Sequence, residues 1–116
     1  HNAAFGRCRT PYFCVINPDI DLVDNPFPAL LACLAQDGAA LVAPLVLAPD
    51  GNIEDSIRRL HTLVNLLQNA CGGNDGRYQV GLGQESFCPD WVGGMCMLFR
   101  SASFGQMGGF DTGYYV

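Results

Sequence analysis

The sequence predicts an α/β fold, and three observations carry that prediction. A continuous apolar run, Tyr12-Phe13-Cys14-Val15-Ile16, ends abruptly at a polar turn. An amphipathic stretch lies between Asn25 and Gly38, and a second short apolar run begins at Ala39. Strand, polar turn, helix and strand in that order make a βαβ unit, the building block of sheets flanked by helices.

Each element has its own local signal. Residues 2–9 are short, mixed in polarity and compatible with a helical turn, which Thr10-Pro11 breaks. The run from Tyr12 to Ile16 is β-favouring and apolar throughout, the pattern of a strand covered on both faces in a parallel sheet. In the following helix Asn25 suits the cap, Pro26 the first helical position and Gly38 the end. Phe27, Leu30, Leu31 and Leu34 recur at helical spacing and share one face. A strand is expected over 39–43, with Pro44 limiting its pairing. Asp50-Gly51 marks a tight turn. Ile57, Leu60, Val64, Leu67 and Cys71 keep helical spacing up to Gly72-Gly73, which predicts a second helix beginning near 56–60. Residues 72–89 read as a loop with one short strand, 95–100 as a strand and 101–107 as a short helix. Gly108-Gly109 then forms a hinge or a point of close approach.

Composition bounds the function. A chain of 116 residues holds one domain, residues 1–116, or part of a larger one. With 49% hydrophobic and 15% charged residues and a mean hydropathy of +0.16, it has the balance of a globular protein. Six basic against eleven acidic residues leave a net charge of −5, which argues against nucleic acid or an anionic membrane surface as a partner. No apolar run approaches the roughly 18 residues of a membrane span. The six cysteines contain no C-x-x-C pair, so their spacing offers no structural zinc site. Cys14, Cys33 and Cys96 sit among apolar neighbours, as reduced thiols of a cytoplasmic protein do. The start at His1 and the aromatic close Tyr114-Tyr115-Val116 both read as cuts within a longer domain.

The chemistry is expected beyond the carboxyl ends of the strands, where open α/β sheets bind their ligands. The first strand is followed there by Asn17-Pro18-Asp19-Ile20-Asp21. Carboxylates in that place suit Mg²⁺ or Mn²⁺, which keep one or two protein carboxylates and fill the rest with phosphate oxygens and water. Taken alone, the plainer reading is a polar turn before a helix. A second cluster, Asp90-Trp91-Val92-Gly93-Gly94, pairs an aromatic plane with glycines that allow a close approach. For Trp91 alone the plainer reading is a core residue. A third cluster, Gly108-Gly109-Phe110-Asp111, is a turn or a loop that shapes a substrate site.

In their order and spacing these clusters, with Asp50-Gly51 and Met97-Leu98-Phe99-Arg100, resemble the family 2 glycosyltransferases, most closely the rhamnosyltransferase-like bacterial members. The resemblance implies a partial GT-A fold: a Rossmann-like mixed sheet with flanking helices, without its N-terminal strands and C-terminal catalytic region. It implies inverting transfer of a sugar from a UDP- or dTDP-linked donor to a polysaccharide or glycolipid acceptor. The metal-binding D-x-D element of that family corresponds to Asn17-Pro18-Asp19, making Asp19 the ligand of metal and diphosphate, placing Asn17 near the donor ribose or a metal-bound water and leaving Asp21 a secondary candidate. His1-Asn2 resembles the end of the R-N element that touches the donor nucleotide, with His1 where that element has Arg. Trp91, Gly93, Gly94 and Asp111 would line the pocket for donor sugar and acceptor. The general base of the family follows its G-G-F-D segment and is expected beyond Val116, so no residue here is expected to be catalytic and the chain alone is expected to be inactive. A non-catalytic module that binds a nucleotide diphosphate is the alternative. Absent N-terminal strands would leave a sheet edge for self-association into a homo-oligomer, and the expected location is the cytoplasm or the inner face of the membrane.

Overall fold

The computed structural model describes residues 1–60, 78, 80, 81, 83 and 86–114. The chain divides into two compact units, His1–Pro44 with Gly94–Val116, and Leu45–Gly93 between them in sequence.

In the first unit, a one-turn helix α1 (Asn2–Phe5) precedes β1 (Tyr12–Ile16), and helix α2 (Phe27–Asp37) precedes the two-residue strand β2 (Leu41–Val42). A further strand (Cys96–Arg100), which we number β5 in chain order, leads without a break into α3 (Ser101–Met107). The sheet order is β1-β5-β2, and both pairs are antiparallel. Tyr12 lies opposite Arg100 and Ile16 opposite Cys96 on one side, while Leu41 and Val42 face Phe99 and Leu98 on the other. β1 and β2 therefore run in the same direction, as a crossover through α2 requires, yet they are not neighbours. The most deeply buried strand lies between them. Cys96, Met97, Leu98 and Phe99 are all buried, so β5 and not β1 is the strand covered on both faces. In β1 only Val15 is buried, and its far edge pairs with no strand among the described residues.

Alternation along β5 divides the core in two. On one face Leu98 packs with Leu30 and Leu34 of α2, joined by Tyr12, Cys14, Phe27, Leu31, Ala39 and Val42. All four positions of the expected helical stripe meet this cluster. The helix starts one residue later than expected, with Pro26 at the cap and not at the first helical position; Asn25 Oδ1 still accepts from the Phe27 N–H at 3.1 Å, and Gly38 ends α2 in the left-handed region at φ 62°. On the opposite face lies the completely buried Phe104 of α3. Its ring meets those of Phe5, Phe13, Phe99 and Phe110 at centroid distances of 4.7, 5.1, 4.9 and 5.1 Å, in tilted or edge-on geometries that favour aromatic pairs. Burying one such ring contributes about 1.5–3 kcal/mol.

Arg100 ties the halves of this unit together. Its backbone N–H donates to Ala40 at 2.9 Å, its Nε to the Ala39 carbonyl at 2.9 Å, and its guanidinium also to the Leu34 carbonyl. Those carbonyls sit at and just past the C-terminal turn of α2, where orphan acceptors and the negative end of the helix dipole welcome a cation.

The second unit is built on turns. A hairpin turn over residues 48–52 closes with Gly51 N–H to Ala48 O and Ala48 N–H to Asn52 O, both at 2.8 Å, and Gly51 takes φ 82°. This is the tight turn expected at Asp50-Gly51. Strand β3 (Ile57–Arg58) pairs antiparallel with β4 (Trp91–Val92), Ile57 opposite Val92 and Arg58 opposite Trp91. The helix expected to begin near 56–60 is thus replaced at its start by a strand. Ile57 and Leu60 keep helical spacing, but the backbone groups of 57 and 58 are taken by the ladder to β4. The remainder of that expected helix, and most of the loop expected over 72–89, fall outside the described residues.

Candidate functional site

The end of β1 is anchored before it turns. Asn17 donates its N–H to the Met95 carbonyl at 2.9 Å, one step past the last ladder pair, and Ile20 N–H reaches back to Asn17 O at 3.3 Å. The segment following β1 and the entry to β5 at Gly94-Met95 therefore share one end of the sheet. A side chain at Gly94 would find only the Met97 methyl, at 3.8 Å. Asn17, Asp19 and Asp21 are exposed there, and among the described residues neither aspartate forms an ion pair or hydrogen bond. No group of three or more His, Cys, Asp or Glu side chains gathers among the described residues. One or two outward carboxylates do not make a protein cage for a metal. They do fit an ion held chiefly by phosphate oxygens and water.

A second pairing joins residues far apart in sequence. Asn2, at the start of α1, donates Nδ2 to the Phe110 carbonyl at 2.7 Å and accepts the Phe110 N–H on Oδ1 at 2.9 Å. His1 sets its ring edge-on to Phe110 with centroids 5.6 Å apart. Beyond Phe110, Asp111 is exposed, and its Oδ1 accepts the Gly113 N–H at 2.8 Å. Gly108 and Gly109 both adopt positive φ, 83° and 82°, so this turn depends on residues without a side chain.

Trp91 and Gly93 belong to the second unit. Gly93 donates its N–H to Ser56 O at 2.6 Å, continuing the β3–β4 ladder. Trp91 is 47% exposed and so is not the core residue its type suggests. It borders a groove of about 310 Å³ with Asp55, Arg58, Arg59 and Leu60. Arg58 forms an ion pair with Asp55, its Nε donating to Oδ1 at 3.1 Å, and the Arg59 guanidinium lies 5.1 Å from the centre of the Tyr78 ring. An aromatic plane beside a carboxylate and guanidinium groups can stack a pyranose ring and hydrogen-bond its hydroxyls. Sequence reasoning missed Asp55, Arg58 and Arg59 because it read their segment as the start of a helix. The run of two adjacent arginines after Asp55 was the available signal.

The expected residues thus fall into three places: Asn17, Asp19, Asp21 and Gly94 at one sheet end; Asn2 and Asp111 around Phe110; Trp91 and Gly93 on β4 and just after it. Described cysteines are free thiols, and the shared sheet face brings Cys14 close to Cys96. Burial first, then the neighbouring Cys96, pushes the Cys14 thiol up to about 11. Cys8 is shifted the other way by hydrogen bonding to Thr10. No helix among the described residues is long and apolar enough to cross a membrane.

No protein-family model matches the chain, and no solved structure matches it. The chain is 31% identical over 111 aligned residues to an N-acetylglucosaminyl-diphospho-decaprenol L-rhamnosyltransferase of Mycobacterium tuberculosis strain CDC 1551 / Oshkosh, and likewise to that of strain ATCC 25618 / H37Rv. In both cases the alignment covers 88% of this chain and 36% of the relative. The chain is therefore similar to a rhamnosyltransferase and spans about a third of the length of the curated relatives it matches.

Proposed function

We propose that this chain is the donor-binding part of an inverting glycosyltransferase of the GT-A type, which moves a sugar from a UDP- or dTDP-linked donor to a glycolipid or polysaccharide acceptor. The observation that carries the reading is the turn Asn17-Pro18-Asp19, anchored by Asn17 to Met95 and presenting carboxylates without an ionic partner among the described residues. The likeness to the mycobacterial rhamnosyltransferases supports it. In this reading Asp19 holds a Mg²⁺ or Mn²⁺ ion through its carboxylate, with Asp21 and Asn17 beside it. Such an ion, when bound, neutralises the charge that develops on the departing diphosphate. Gly94 keeps the entry to β5 open to the donor. Trp91 offers a stacking plane for a sugar ring, and the Asp55–Arg58 pair and Arg59 offer hydroxyl contacts. None of the carboxylates described here, Asp111 included, is assigned the role of general base.

Calorimetric titration of UDP and dTDP, with and without Mn²⁺, tests the donor end. We expect metal-dependent binding that is lost in Asp19→Ala. Binding indifferent to both the metal and the substitution would overturn the assignment.

A further inference from the structure

We propose that Asn2 is a positioning residue for the turn that carries Asp111, and that it acts through Phe110 and makes no contact with the donor nucleotide. The inference rests on the glycosyl-transfer reading for its functional consequence, but its geometry stands alone.

The Asn2 side chain engages both polar backbone groups of Phe110, Nδ2 to the carbonyl at 2.7 Å and Oδ1 from the N–H at 2.9 Å. This is the double exchange that a residue in a neighbouring strand would make. Only a carboxamide supplies it at this length: Asp loses the donor, and Ser and Thr carry a single short hydroxyl. The neighbouring residue confirms how closely the two segments meet. A Cβ on Gly109 would sit 2.7 Å from Asn2 Oδ1 and 3.1 Å from its Cγ, so the amide occupies the space a side chain would need. Gly109 also holds φ 82°. The half-buried Phe110 ring also meets three others, with His1 edge-on at 5.6 Å, Phe99 at 5.9 Å and Phe104 at 5.1 Å between ring centroids.

A rigid Phe110 fixes where the chain leaves the core. Asp111 is the next residue, and its carboxylate is already turned onto the Gly113 N–H at 2.8 Å. Asn2 therefore sets the position of Asp111 from behind, across nearly the whole length of the sequence. The R-N-like start of the chain and its G-G-F-D-like segment become one device. Asn2 is aimed at Phe110 by two bonds, which removes it from the donor contacts assigned by resemblance.

The test compares Asn2→Ala and Gly109→Ala with wild type in the protein that carries this chain. Sugar transfer, UDP and dTDP affinity with Mn²⁺, and exchange of the Phe110 amide are measured well below the melting temperature. We expect kcat/KM for the acceptor to fall about tenfold in Asn2→Ala, the size of one or two net hydrogen bonds. Nucleotide affinity should stay within about twofold, and the Phe110 amide should exchange faster. A merely structural role would not separate acceptor from donor in this way. Gly109→Ala should reproduce the pattern with Asn2 intact, and it judges the proposal if Asn2→Ala fails to fold. A loss of nucleotide affinity in Asn2→Ala without an acceptor effect would restore the donor contact and overturn the proposal, as would no change in either quantity. If the wild-type protein transfers no sugar, the glycosyl-transfer reading falls. The clamp is then still judged by the Phe110 amide, and exchange unchanged by Asn2→Ala would refute it.

Discussion

The two units of the chain are held together by different physics. Among the described residues of the first, eight apolar side chains are buried, from Val15 and Leu30 to Phe99 and Phe104, and four of them belong to one strand packed on both faces. Among the described residues of the second, only Ser56 is buried, and its Oγ has no hydrogen-bond partner there. Its described elements are two-residue strands, a hairpin turn and the Asp55–Arg58 ion pair. The first unit draws on apolar area removed from water, whereas the described part of the second draws on directional bonds that are each worth only about 1 kcal/mol net. A long apolar strand needs cover on two faces, and that need organises everything around it. Two-residue strands impose no such demand, and they leave Trp91 largely exposed.

The largest effect should therefore come from Phe104. Replacing it with Ala removes the ring that four other phenylalanines meet, and should cost about 3–5 kcal/mol in urea denaturation followed by circular dichroism. Ile57→Ala, at a half-buried position of β3, should cost only about 1 kcal/mol. Equal losses would remove the distinction between the units.

Arg100 gives the next effect and sharpens the comparison, because it places a polar device inside the apolar unit. Arg100→Met keeps much of the stem but strips donors from the Ala39 and Leu34 carbonyls. A loss of about 1–3 kcal/mol in thermal denaturation is expected, from acceptors left without partners at the end of α2. A neutral outcome would mean that water replaces the guanidinium there.

The smallest effects should appear at opposite ends of the pH scale. Burial raises Cys14 from its ordinary 9.0 to about 11, so the fold favours the neutral thiol. That contribution is complete below pH 9.0 and is lost as pH rises toward 11, and Cys14→Ala should flatten the alkaline limb of the stability curve. Asp50, in the hairpin turn, is held below its ordinary 3.8 by the Asn52 backbone N–H and then by the Asn52 side chain. Its contribution is present above pH 3.8 and is lost as pH falls through the lowered value, so Asp50→Ala should soften only the acid limb. Denaturation midpoints across the pH range check both; an alkaline slope that survives Cys14→Ala would assign it elsewhere.

Several elements are legible in the sequence because their signals are local. The α2 helix declares itself through Asn25, Gly38 and the stripe Phe27, Leu30, Leu31 and Leu34, all within one short segment. β1, β5 and α3 follow from runs of residue type, and the turn at Asp50-Gly51 from the glycine that takes positive φ. At the candidate site, the Asn17-Pro18-Asp19 turn is legible because a polar stop after an apolar strand is itself a local pattern. Its anchorage to Met95 is not, since the partner lies on the far side of the second unit in sequence.

Where partners are distant, local pattern is silent or points elsewhere. Ile57 and Leu60 carry a helical period, yet Ile57 and Arg58 are a strand because Trp91-Val92 supplies the other half of the ladder. β1 and β2 read as neighbours in a βαβ unit, but β5 separates them, because the strand with the longest buried run gains most from the centre. Asn2 likewise bonds Phe110 across nearly the whole length of the sequence, a partner that no local pattern announces. By itself the sequence determined β1, α2, β5, α3 and where the exposed carboxylates of the first turn fall, since propensity, capping and periodicity act over a few residues. Tertiary structure alone decided which strand lies in the middle, that Arg100 closes α2, and that Asn2 grips Phe110, because each depends on groups that only the folded chain brings within bonding distance.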